Sequence, residues 1–102
     1  ASPRISEMRS CYDAYEKEKD SIGFRAASQG WNESRICTMK ADTLLVLDEC
    51  LVKAKEKNKT AVYTQSYIEE IFRLVRPYTL AYPVLKQQHN DACADYPDAI
   101  LE

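Results

Sequence analysis

The sequence predicts an all-α fold: a compact bundle of about four helices stapled by two disulfides. Three observations carry that expectation. Glycine and proline are scarce, two and four among 102 residues, whereas an all-β chain needs turn residues every ~8–12 positions. Apolar residues recur at spacings of three and four, the period of one helix face. Four cysteines make an even number in a short chain, the composition of a disulfide framework in an oxidising compartment. By length the chain is one domain, 1–102, with loose termini. The first two and last two residues carry no functional weight in that reading.

The first helix follows from Ile5, Met8, Tyr12, Tyr15 and Ile22, which share one face, with Glu16, Glu18 and Asp20 among lysines opposite. It is expected from about Ile5 to about Ile22, fraying near Gly23. Phe24 to Gly30 is left open and allows another turn or two. Gly30-Trp31-Asn32 then marks a boundary. Asn32 is a good N-cap, since its side chain accepts from the free amides of the next turn. Trp31 and Ile36 stand at the two positions of a hydrophobic staple.

Helix 2 is expected to run to about Lys57. Its inward stripe is Cys37, Ala41, Leu44, Leu47, Leu51 and Ala54, with Leu45 and Val52 widening it. The third helix is capped by Thr60 or Thr64 and carries Tyr67, Ile68, Ile71, Phe72 and Val75 on its buried face. Pro77 ends it, because the ring removes an amide and clashes one turn back. The period resumes at Tyr78, Ala81, Tyr82 and Leu85, giving a fourth helix from Pro77 to about Ala94, bent or restarted at Pro83. Tyr96-Pro97 closes the fold.

The cysteines fix how these elements are tied. Cys37 and Cys50 are thirteen residues apart in one helix, a span of about 20 Å and a rotation of about 220°. A disulfide needs Cα atoms within about 7 Å, so these two cannot pair. Two connectivities remain: Cys11–Cys50 with Cys37–Cys93, or Cys11–Cys37 with Cys50–Cys93. Antiparallel helices pair residues symmetric about their turn. Cys11 and Cys50 are symmetric about Gly30/Trp31, which favours the first. The second needs a turn near Phe24, which Gly23 permits.

Charge and composition bear on function. The formal net charge of −2 gives no basic face for nucleic acid. No apolar run approaches the ~18 residues of a membrane span. The chain shows no charged-then-apolar leader, so a secretory leader is expected to have been removed. The cysteine gaps of 25, 12 and 42 residues with a single histidine match no zinc spacing, and neither metal nor cofactor is expected. Two sequons, Asn32-Glu33-Ser34 and Asn58-Lys59-Thr60, are candidate glycosylation sites in inter-helix loops.

Catalytic constellations are weak. His89 lies near Cys93, but that cysteine is assigned to a disulfide and the histidine to a polar stretch. Asp48/Glu49 and Glu69/Glu70 are adjacent in sequence, so their carboxylates splay by about 100° and do not flank one bond. No catalytic residue is expected. Lys53, Lys55, Lys57 and Lys59 complement the negative end of helix 2. With Tyr63 they are also the nominated partner surface, a patch for an acidic protein face or a glycosaminoglycan. Seven tyrosines are mostly assigned to the core, with Tyr63, Tyr82 and Tyr96 less committed, and one or two available to a binding surface or pocket.

Length, cysteine placement, helical stripes, tyrosines and sequons together resemble small secreted proteins from the saliva of blood-feeding insects, in particular the sand fly salivary anti-complement family. The likeness is in overall format and carries no functional residue across. It implies a secreted, immunomodulatory protein, a monomer, that inhibits the classical complement pathway. Insect odorant-binding proteins share the helices and disulfides, but their second and third cysteines are typically three residues apart, unlike Cys37 and Cys50. The expected function is therefore occlusion of a host plasma protein, without catalysis. A carrier of small hydrophobic ligands and a cytokine-like receptor ligand are the alternatives.

Overall fold

The computed structural model describes residues 3–57 and 82–102, with side chains over 7–56 and 82–102. Regular structure among these residues is helical throughout: α1 (Pro3–Gln29), α2 (Glu33–Lys57), α3 (82–92) and a 3-10 turn, Pro97–Ala99. The all-α class stands. Of the about four helices expected, three α-helices stand among the described residues. The helix assigned to Thr60–Val75, the Pro77 start of the next one, Asn58, Lys59 and Tyr63 lie outside the described residues.

α1 is longer than its apolar stripe suggested. It continues through Gly23 to Gln29 instead of fraying there. A helical glycine costs about 1 kcal/mol relative to alanine, too little to stop a helix that is otherwise continuous. An ion pair, Arg25 Nη2 to Glu18 Oε1 at 2.6 Å, spans the glycine. The true stop is Gly30, whose φ of 65° suits a residue without a Cβ. The Trp31 amide then turns back to the Ala26 carbonyl at 3.1 Å, satisfying one of the helix's orphan acceptors. Asn32 starts α2 as its composition predicts. Its Oδ1 accepts the Arg35 amide at 2.9 Å, and its carbonyl accepts the Ile36 amide at 3.1 Å.

This short reversal folds α1 and α2 into an antiparallel hairpin. Met8, Cys11, Tyr12 and Tyr15 of α1 pack with Leu44, Leu47, Leu51 and Ala54 of α2. Tyr82 and Leu85 of α3, with Leu101, cover the same cluster. Fully burying each large apolar chain contributes roughly 1.5–3 kcal/mol. Leu45 and Val52, expected to widen the α2 stripe, are instead exposed. Each follows a stripe residue, Leu44 or Leu51, and successive helical side chains turn by about 100°, enough to leave the face that meets α1.

Both disulfides form the connectivity favoured by hairpin symmetry. Cys11–Cys50 joins α1 to α2 with Cα atoms 5.8 Å apart. Cys37–Cys93 joins α2 to the end of α3 with Cα atoms 5.9 Å apart. The second bond anchors a small satellite core with Ala99 and Tyr96.

The C-terminal tail, expected to be loose, is tied to α3. Asn90 Nδ2 donates to the Leu101 carbonyl at 2.7 Å, and the Leu101 amide donates to Asn90 Oδ1 at 2.8 Å. His89 Nε2 donates to the Ala99 carbonyl at 2.7 Å. Lys86 Nζ donates to the Glu102 carbonyl. Leu101, given no weight from sequence, thus contributes backbone bonds and an apolar side chain.

Candidate functional site

The hairpin leaves large apolar side chains in solvent. Phe24 is 75% exposed, Val46 65%, Leu45 48% and Val52 46%. Three of the four belong to α2, with Leu45 and Val52 seven residues apart on one face and Val46 turned about 100° from Leu45. Lys53 and Lys55, from the nominated lysine patch, are exposed next to Val52. The side chain of Lys57 lies outside the described residues. Isolated surface apolar residues need no explanation, but a group on one element marks a contact surface.

The tip of the hairpin adds an aromatic centre. The Trp31 ring has the Arg35 guanidinium 4.5 Å and the Arg25 guanidinium 5.4 Å from its centroid. Its indole Nε1 donates to Gln29 Oε1 at 3.1 Å. Tryptophan and arginine are the residue types enriched at binding hot spots. The signals for this tip were present in the sequence, since Phe24, Trp31 and the two arginines cluster about Gly30.

Two clefts flank the hairpin. One of about 410 Å³ opens where α1, α2 and α3 meet, with Ile22, Leu44 and Leu85 on its apolar side and Lys19, Lys40 and Gln88 among its polar lining. The other, about 440 Å³, runs along α1 and α2 and includes Ala14, Met39, Val46 and Leu47, with Glu18 and Asp42 as its acids. Their lining is drawn from residues far apart in sequence, so neither cleft was legible beforehand.

His89 and Cys93 do come together, with Nδ1 3.8 Å from Sγ. That sulfur is bonded to Cys37 and carries no proton, so the pair lacks a thiol nucleophile. Nε2 is occupied by the Ala99 carbonyl, which makes the ring a buried fastener for the tail.

Among the titratable groups, burial pushes Tyr12 upward, partly offset by a hydrogen bond with the Tyr82 backbone. Burial also raises Tyr15, with Lys19 pulling it down and Glu16 pushing it up. Tyr82 rises through burial and the nearby Asp48 charge. Lys19 is raised chiefly by its hydrogen bond to Glu16, whose Oε2 lies 3.1 Å from Nζ.

Among the described residues no group of three or more histidine, cysteine, aspartate or glutamate side chains converges as a metal site. No described helix is long and apolar enough to cross a membrane. Asn32 stands exposed at the hairpin turn, its Oδ1 committed to the cap. No protein-family model matches the chain, and no curated protein or solved structure matches it either.

Proposed function

We propose that this chain is a secreted interaction protein that occludes a surface on an extracellular host protein, an early component of the classical complement pathway. It acts as a monomer and without catalysis, by presenting a preformed face. The observation that carries this reading is the exposure of three large apolar side chains on α2, Leu45 and Val52 on one face and Val46 beside them, on a helix crosslinked to both of its neighbours. Binding through a rigid face loses little conformational entropy, so more of the contact energy appears as affinity. Lys53 and Lys55 border that face and suit an acidic partner.

The extracellular setting draws support from the two disulfides, which persist in oxidising compartments. Asn32 is the glycan acceptor among the described residues. Its amide nitrogen is the atom a glycan uses, while the cap uses Oδ1, so modification and helix capping are compatible. The complement target itself rests on the resemblance in format.

The test is lysis of antibody-coated cells by the classical pathway, run beside alternative-pathway lysis. The expected result is dose-dependent inhibition of the first only, lost in a Leu45→Glu, Val46→Glu, Val52→Glu variant that keeps its helical circular dichroism. No inhibition at micromolar protein removes the complement target. Equal inhibition by the triple variant removes the α2 face.

A further inference from the structure

The 410 Å³ cleft at the junction of α1, α2 and α3 is separate from the outer face of α2. It lies within the volume range of small-molecule sites, roughly 300–1,000 Å³. Such sites combine an apolar body with a few converging polar groups, and this cleft has that composition. Ile36 of α2 and Leu85 of α3, both partly exposed, supply the body above a buried floor that includes Ile22 and Leu44. Lys40 on α2 and Gln88 on α3 supply polar groups, and neither has a hydrogen-bond or ion-pair partner among the described residues.

The remaining charges are accounted for. Lys19 is held by Glu16 at 3.1 Å. Glu33 is in the first turn of α2, where a carboxylate is favoured by the positive helix end. It is seven residues from Lys40, about 10 Å along the axis. The uncommitted cation is therefore at the Lys40 end, next to apolar surface.

We infer that this cleft binds a small amphiphile with one anionic head group, its apolar body on Ile36 and Leu85 and its head at Lys40 and Gln88. The second cleft selects the other way. Its charged lining is Asp42 and Glu18, the latter paired with Arg25, with no lysine or arginine among its described lining to hold an anion. The inference is independent of the complement reading, and either can fail alone.

The test titrates the intact, disulfide-bonded protein with decanoate, decan-1-ol and decylammonium by calorimetry. It also follows methyl NMR shifts at Ile36 and Leu85. Decanoate is expected to bind saturably at one equivalent and about tenfold more tightly than decylammonium. Lys40→Glu should weaken decanoate by about tenfold, since it replaces attraction with repulsion. Ala92→Trp, at an exposed position lining the cleft, should abolish binding by filling it. Asp42→Asn, on the second cleft, should leave decanoate binding unchanged. Absence of saturable binding overturns the site. Decanol binding as tightly as decanoate overturns the anionic head group. Methyl shifts confined to other residues overturn the location, whichever variants fold.

Discussion

Cys11 and Cys50 face each other across the hairpin, 5.8 Å apart at Cα, and each is nineteen residues from the Gly30–Trp31 reversal. Equal counts on two antiparallel helices bring residues to the same level, because both rise by about 1.5 Å per residue. The same geometry sends Cys37 to a different partner. α2 therefore works as a strut between α1 on one side and the end of α3 on the other.

The two glycines make opposite predictions. Gly23 is helical, and a Cβ added there meets nothing within 4 Å. Gly23→Ala should stabilise the fold by about 0.5–1 kcal/mol. Gly30 also has open space, but its φ is 65°. Gly30→Ala should destabilise by roughly 1–2 kcal/mol. Urea unfolding of the two variants checks both signs. A loss of stability in Gly23→Ala would show that the glycine serves a contact this account does not include.

The cap at Asn32 separates helix stability from glycosylation. Asn32→Ala removes the acceptor for the Arg35 amide and should cost about 1 kcal/mol. Asn32→Asp removes the sequon and keeps a capping oxygen, so unfolding of unglycosylated protein should be nearly unchanged. Intact mass from a secretory host then reads glycan occupancy at this position alone.

The tail offers a local test. Asn90 makes two hydrogen bonds with the Leu101 backbone. Asn90→Ala leaves that carbonyl and amide without their side-chain partner, at a cost of roughly 1–3 kcal/mol. Hydrogen exchange should quicken at Ile100 and Leu101 before it changes in α1. Unaltered exchange there would mean that the tail is held by other contacts.

Alkaline pH should weaken the fold. Tyr12, Tyr15 and Tyr82 are all raised above the ordinary tyrosine value of 10.0, mainly by burial. Above pH ~10 the unfolded chain releases these protons before the folded one does, so the folded state binds more protons and stability falls with rising pH. Their contribution is complete below that pH and disappears as pH climbs through the raised values. Tyrosinate absorbance should show late-titrating tyrosines, with loss of helical circular dichroism accompanying their ionisation. Titration of every tyrosine at its ordinary value with helicity intact would contradict their burial.

The parts of this architecture written in local chemistry could be read from sequence. Asn32 caps because its side chain reaches its own next turn, and the hairpin register follows from one turn signal and two cysteines. Contacts between distant segments were less legible. The outward turn of Leu45 and Val52 depends on where α1 lies, not on their own hydrophobicity. Asn90 and Leu101 are each unremarkable alone and become a fastening only once α3 and the tail meet. α1 runs past Gly23 because a single helical glycine is too weak a break to end it. The first cleft needed three elements in place before Lys40 and Gln88 could share one lining.

Separate removal of the two crosslinks should distinguish their roles. The bonds close loops with sequence separations of 39 and 56 residues, for which chain entropy gives about 4 kcal/mol each, not additive because the loops overlap. Replacing Cys11 and Cys50 by serine should lower global stability while the satellite core keeps its exchange protection. Replacing Cys37 and Cys93 should release that core and the tail first. Equal loss across the molecule in both variants would deny that α2 holds two distinct neighbours.

Peptide mass mapping of the unreduced protein tests the strut most directly. Digestion should yield one crosslinked pair containing Cys11 and Cys50, a second containing Cys37 and Cys93, and no free thiol. A Cys37–Cys50 crosslink, or four unpaired sulfurs, would be incompatible with an unbroken α2 and with the rigid face proposed to meet a partner.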